Sequence, residues 1–82
     1  MNTNSNNENF IKWKYWIANK IKEKMKEADC GIEYLAFMAD LPEEYLFKVL
    51  QYQISPSRMA VEKIARALGV NKEEFNCPEE LL

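Results

Sequence analysis

The stretch that decides the fold runs from Gly31 to Leu50 and has the sequence GIEYLAFMADLPEEYLFKVL. Its first part, Ile32 to Ala39, predicts a short helix that Asp40-Leu41-Pro42 ends. Pro42 is tolerated at the first position of a new helix, and acidic side chains stabilise the positive end of its dipole. Pro42 followed by Glu43 and Glu44 therefore predicts another helix, from Pro42 to about Leu50. The residues expected to face the core are Leu35, Ala36, Ala39, Leu46, Val49 and Leu50.

Helices are also predicted on both sides of this pair. Upstream, apolar residues spaced by three or four form one stripe of an amphipathic helix from about residue 10 to about residue 28. Downstream, a helix starts at Ser55-Pro56 or Pro56-Ser57, Gly69 ends it, and a short final helix runs to Phe75. No segment alternates with period two, so the fold class is all-α, a compact bundle of about five helices. The inward residues are Phe10, Trp13, Ile17, Ile21, Met25 and Ala28 upstream and Val61, Ile64, Ala65 and Leu68 downstream.

Length and composition predict one domain preceded by a short arm. A chain of 82 residues has room for one modest core, which we expect in residues 10–82. Residues 1–9 are almost entirely Asn, Thr, Ser and Glu, so a disordered N-terminal arm is expected there. No apolar run approaches the ~20 residues of a membrane span, and none resembles a signal peptide. A cytoplasmic protein with no membrane partner is therefore expected.

The residue types that catalysis and metal binding need are scarce in this chain. It has no histidine, and its two cysteines, Cys30 and Cys77, are far apart and expected to be reduced thiols. No paired carboxylates lie in an apolar setting, and there is no glycine-rich phosphate loop. We therefore expect no catalytic residue, no metal ligand and no cofactor, and an enzyme is not expected.

The net charge of −2 is unevenly distributed. Between residues 10 and 28, six lysines oppose two glutamates, whereas residues 29–56 contain five acids and only Lys48 as a base. The lysines of the first helix either form a patch that faces phosphates or make up the solvated face of the helix. The sequence leaves both interpretations open.

Two stretches resemble the Xre/Cro family of phage and bacterial repressors, whose fold is lambda-repressor-like. In the first, Gly31 to Leu50, Leu35-Ala36 matches the family's Leu-Ala pair, and Leu46 and Val49 match core residues of its recognition helix. The second, Ile54 to Val70, is similar to the family's Pro-Ser … Ile-Ala … Ala-Leu-Gly-Val helix. Trp16 to Lys26 also resembles the family's first helix. The resemblance therefore covers about residues 16 to 75 and implies a helix-turn-helix domain.

The resemblance implies a DNA-binding transcriptional regulator that binds operator DNA as a homodimer. In such proteins the recognition helix enters the major groove of double-stranded DNA, and the half-sites lie about one helical turn apart. The residues that the resemblance assigns to DNA binding are Ile32, Glu33, Glu43, Glu44, Phe47, Lys48 and Arg58.

Several of these positions depart from the family's pattern. Relatives have Gln, Arg, Ser or Asn where this chain has Glu43 and Glu44, which either accept a hydrogen bond from cytosine or only stabilise the helix dipole. Lys48 is either a contact to phosphate or guanine, or the i,i+4 partner of Glu44. Arg58 lies near the position where relatives hold the DNA backbone, and Asp40 replaces the usual glycine of the turn.

A surplus of aromatic side chains indicates a second kind of function. Trp16 is expected to project away from the apolar stripe, and Tyr34, Phe37 and Phe47 occupy positions that are usually polar in this fold. We assign Trp16, Tyr34 and Phe37 to an interface, the alternative being that the first helix covers some of them within one monomer. The alternative function is a protein-interaction module on the same scaffold: antitoxin-like, anti-repressor or a phage-encoded adaptor. Its partner would be another protein.

Overall fold

A computed structural model describes the backbone of residues 3–76 and the side chains of residues 12–76. In this part the chain is all-helical and contains no strand, as the sequence predicts. It forms the α-helices α1 Thr3–Glu27, α2 Ile32–Ala39, α3 Glu43–Leu50 and α4 Arg58–Leu68, and then a 3₁₀ helix, Lys72–Phe75. The fifth predicted helix is therefore a 3₁₀ helix, the form that short helical segments adopt most readily. None of the helices described is long and apolar enough to cross a membrane.

The helix α1 is longer than the apolar stripe predicts. It begins at Thr3 instead of near residue 10, so it includes much of the segment predicted as a disordered arm. Its inward side is where we expect it, with Ile17 and Ile21 fully buried and Trp13 and Met25 partly buried. Ala28 lies beyond the helix end and is exposed, and the side chain of Phe10 lies outside the described residues. The division into an arm and a domain stays a prediction.

Backbone geometry explains how the chain turns between the short helices. Asp40 ends α2 in the left-handed conformation, with φ 58° and ψ 49°, and its N–H donates to the carbonyl groups of Ala36 and Phe37. Aspartate tolerates this conformation better than most residues. Pro42 is the N-cap of α3 and not its first residue, since its extended backbone precedes the helix. The connection between α2 and α3 is therefore only three residues long, Asp40–Pro42.

The ends of α4 follow two local signals. The Oγ of Ser57 accepts a hydrogen bond from the N–H of Ala60 at 3.1 Å, so the helix starts after Ser57 and not at Ser55 or Pro56. Gly69 ends the helix at φ 73°, as predicted, because glycine reaches the left-handed region without steric cost.

One core joins all four α-helices and the 3₁₀ helix. Phe75 closes it from the 3₁₀ helix and is 2% exposed, although it lies beyond the apolar stripe of α4. Leu41, Tyr45 and Ile54 pack against the edge of this core. The core residues are Ile17, Ile21, Leu35, Ala36, Ala39, Leu46, Val49, Leu50, Ile64, Ala65 and Phe75. Every inward residue predicted for α2 and α3 is among them.

Candidate functional site

The outward face of α3 is the first candidate surface. Leu46, Val49 and Leu50 turn one side of this helix into the core. The opposite side is exposed along the whole helix and continues into the residue that follows it. We call this surface the α3 outer face; its residues are Glu43, Glu44, Phe47, Lys48 and Gln51. It combines two carboxylates, one amine, one amide and one aromatic ring.

Lys48 and Glu44 interact with each other on this face. The Nζ of Lys48 lies 3.7 Å from Oε2 of Glu44, one helical turn earlier, and both side chains are well exposed to water. Exposed pairs at this spacing contribute only a few tenths of a kcal/mol. The ion pair predicted for Lys48 is therefore present, and it is weak enough to open when either group meets a stronger partner.

The start of α2 contains two further residues that are predicted to bind DNA. Ile32 is partly buried and packs against the core, whereas Glu33 is exposed. No side chain caps the N-terminus of α2, nor that of α3, in contrast to α4 with its Ser57 cap. The first N–H groups of both short helices therefore keep their capacity to donate to an outside acceptor.

Arg58 is exposed at the start of α4. It lines an open cleft of about 280 Å³ together with Trp13, Val61 and Phe75. It also borders a neighbouring cleft of about 260 Å³, which Glu62 and Lys72 line as well. No residue of α3 lines either cleft. Arg58 thus lies beside residues of α1 and of the 3₁₀ helix, and its contact with the DNA backbone stays a prediction.

Two of the six lysines of α1 are held by intramolecular contacts. Lys24 pairs with Glu74 at 2.8 Å and with Glu27 at 3.6 Å. The hydrogen bond to Glu74 is the main reason why the pKa of Lys24 is raised, and the same bond lowers the pKa of Glu74. Lys22 donates a hydrogen bond to the hydroxyl of Tyr52 at 3.0 Å. These two amines therefore stabilise the fold instead of extending a free basic patch.

Tyr52 is a structural residue that the sequence analysis missed. Its backbone has φ 66°, an unusual value for a bulky residue. Its hydroxyl donates to Oδ1 of Asn19 at 2.5 Å, and its ring lies against the ring of Tyr15 with 4.7 Å between centroids. These contacts tie the loop after α3 to the middle of α1. No local pattern signals them, since the partners are 33 residues apart in the chain.

Large apolar side chains are exposed on α2. Phe37 is 81% exposed, Tyr34 59% and Met38 49%. Trp16, which we expected to project away from the core, is partly buried and packs against it. The assignment of Tyr34 and Phe37 to an interface stays a prediction, and their exposure agrees with it. Packing against the core largely explains why residue 16 is a tryptophan.

No family model, no curated protein and no solved structure matches this chain. The resemblance to the Xre/Cro family is carried only by the residues and motifs of the sequence, and what it implies about function is therefore a proposal.

Proposed function

We propose that this protein is a DNA-binding transcriptional regulator of the Xre/Cro helix-turn-helix type that binds operator DNA as a homodimer. One observation carries the proposal: two eight-residue helices, α2 and α3, are joined by three residues, share one core, and leave the α3 outer face open. A helix held in this way by its neighbour can enter the major groove of B-DNA without rearrangement of the core.

The chemistry of the α3 outer face suits base contacts of a particular kind. A glutamate accepts a hydrogen bond from the N4 amino group of cytosine, and an aromatic ring packs against the methyl group of thymine. Lys48 can leave its weak pair with Glu44 to donate to guanine or to a phosphate. We therefore propose that Glu44 and Phe47 select bases and that Lys48 adds affinity.

The uncapped helix starts support the phosphate contacts of this proposal. The first N–H groups of α2, at Ile32 and Glu33, have no side-chain cap and can donate to a phosphate oxygen. The carboxylates of Glu33 and Glu43 repel the same phosphates, so the affinity is expected to depend on salt less steeply than in a basic repressor.

Fluorescence anisotropy tests the proposal. The probe is a labelled duplex covering the DNA upstream of the protein's own coding sequence, titrated at several salt concentrations. We expect binding that weakens as salt rises, and Lys48→Ala should weaken it and lower the salt slope by about one. Lys26→Ala is the matched control, because Lys26 is an exposed lysine of α1 that forms no ion pair within the described residues. Absence of binding at low salt contradicts the proposal.

A second candidate function is a protein-interaction module without DNA binding. The acidic start of α3 favours it, because Glu43 and Glu44 stand where a DNA reader needs neutral or basic groups. The double change Glu43→Gln and Glu44→Gln separates the two functions. A DNA reader that uses these carboxylates changes its base preference, whereas an interaction module binds no DNA before or after the change.

A further inference from the structure

The exposed side of α2 is a continuous apolar surface. Tyr34, Phe37 and Met38 are three and four positions apart, so they lie side by side on one face of the helix. Leu35, Ala36 and Ala39 occupy the opposite, buried face. We call the exposed side the α2 apolar face, and none of its residues belongs to the α3 outer face.

Packing within the chain covers the side chains of this face only in part. The three side chains are 49–81% exposed, so their burial against the core does not explain why they are large and apolar. Aromatic side chains bury about 150–250 Å² each, which puts the exposed area of the face at roughly 400 Å². Apolar patches of this size on a single chain are often functional.

The charge around the face is negative. From residue 29 to residue 47 the chain contains five acids and no base. Glu33 precedes Tyr34 and lies one turn from Phe37, and it forms no ion pair with any residue in the described part of the chain. Lys48 pairs with Glu44 on α3. The Nζ of Lys63 lies 3.5 Å from the backbone carbonyl oxygen of Asp40, but Lys63 forms no ion pair with the Asp40 carboxylate.

These properties argue against a second copy of this chain as the occupant. A stable interface buries about 800 Å² on each partner, which is about twice the area of the α2 apolar face. Two copies that met through this face would also bring Glu33 and Asp40 of one copy close to the same acids of the other. A positively charged partner with a narrow apolar edge fits the α2 apolar face better than a second copy of this chain does.

We propose that the α2 apolar face binds a basic amphipathic segment of another protein. Large apolar side chains of that segment lie on Phe37 and Met38, and its Lys or Arg residues face Glu33 and Asp40. Such a helix-sized partner buries its apolar edge on a short face and gains specificity from the flanking charges. The inference uses no residue of the α3 outer face, and it shares only Glu33 with the residues assigned to DNA binding.

Selection from a displayed library of random peptides tests the proposal without DNA present. The bait is the full chain, and the counter-selection bait is the double variant Phe37→Ser, Met38→Ser. Both residues are exposed, so the variant is expected to fold, and far-UV circular dichroism checks this. We expect enrichment of peptides rich in Lys and Arg with apolar residues three or four apart.

Titration of a labelled enriched peptide gives the second readout. The double variant should bind at least tenfold more weakly than the unchanged chain. Met59→Ser is the matched control and should bind equally well, because Met59 is an exposed apolar residue on α4. Glu33→Gln combined with Asp40→Asn should weaken binding several-fold and reduce its salt dependence. Asparagine keeps the left-handed backbone at position 40.

Other outcomes overturn the proposal. These are the absence of enriched peptides, enrichment of acidic peptides, and binding that the Phe37→Ser, Met38→Ser variant does not weaken. Sedimentation of the chain alone tests a further contradicting outcome. If the chain is a dimer and the Phe37→Ser, Met38→Ser variant is a monomer, a second copy of the chain occupies the α2 apolar face. If the anisotropy experiment finds no DNA binding, this inference still stands. If the peptide selection fails, the proposed DNA-binding function still stands.

Discussion

The Nζ of Lys22 lies 3.0 Å from the hydroxyl oxygen of Tyr52 and 4.3 Å from the centroid of its ring. One side chain of α1 thus holds both the polar and the aromatic part of a residue in the loop after α3. With Asn19 and Tyr15, this contact fixes the loop in spite of the left-handed backbone at Tyr52. It adds to the shared core a second link between α1 and the segment that follows α3.

Replacement of Tyr52 by phenylalanine tests this contact. The ring and its packing remain, but the hydrogen bonds to Asn19 and Lys22 are lost, so the free energy of unfolding should fall by about 1 kcal/mol. Urea denaturation measures the change. Tyr34→Phe is the control, since the hydroxyl of Tyr34 takes part in no hydrogen bond with the described residues, and its unfolding midpoint should not move. Equal midpoints for both variants would contradict the role of Tyr52.

The two glycines should respond differently to alanine. Gly69 has φ 73°, so Gly69→Ala should destabilise the fold by about 1 kcal/mol from backbone strain alone, because a Cβ there meets no atom within 4 Å. Gly31 also has open space but φ −86°, so Gly31→Ala should be close to neutral: alanine restricts the unfolded chain but is a poorer N-cap for α2 than glycine. Thermal unfolding of both variants measures the difference. A similar loss for both would show that the positive φ at Gly69 does not decide the effect.

Phe75 and Phe37 provide a test of burial with the same substitution. Phe75→Ala leaves a cavity in the core and should cost about 3–5 kcal/mol, a large part of the stability of a small domain. Phe37→Ala removes a ring that is 81% exposed and should change stability by about 0.5 kcal/mol or less. Thermal melts followed by circular dichroism check both values. A stable Phe75→Ala variant would contradict the closing role of the 3₁₀ helix.

The ion pair between Lys24 and Glu74 predicts a pH dependence of stability. Because the pKa of Glu74 is lowered in the folded chain, its contribution is present above the ordinary carboxyl value of 4.5 and is lost as the pH falls through the lowered pKa. Because the pKa of Lys24 is raised, its contribution is present below the ordinary value of 10.5 and is lost as the pH rises through the raised pKa. The pair therefore stabilises the fold between these limits, and only slightly, since Glu74 is exposed.

The variant Glu74→Gln measures that contribution. Its urea midpoint should lie below that of the unchanged chain at neutral pH, and the gap should close as the pH falls through the lowered pKa of Glu74. Glu33→Gln serves as the control, because Glu33 forms no ion pair in the described part of the chain. A gap that persists at low pH would mean that the carboxylate charge is not responsible.

The sequence by itself determined the local features of this protein. The bounds of α2, the end of α4 at Gly69, and the inward residues of α2 and α3 follow from periodicity and from the conformational preferences of Gly and Pro. These signals act within a few residues, so a single chain without relatives is enough to find them. The exposure of Tyr34 and Phe37 was expected from the resemblance, because these positions are usually polar in the fold that it implies.

Tertiary structure alone decided which distant residues meet. Tyr52 with Asn19 and Lys22, and Lys24 with Glu74, are contacts across tens of residues, and no local spacing encodes them. Arg58 lies beside residues of α1 and the 3₁₀ helix, and Trp16 packs against the core, because the packing angle of each helix fixes where its sides point. Periodicity gives the faces of a helix, whereas only the packing of the helices against one another decides what each face contacts.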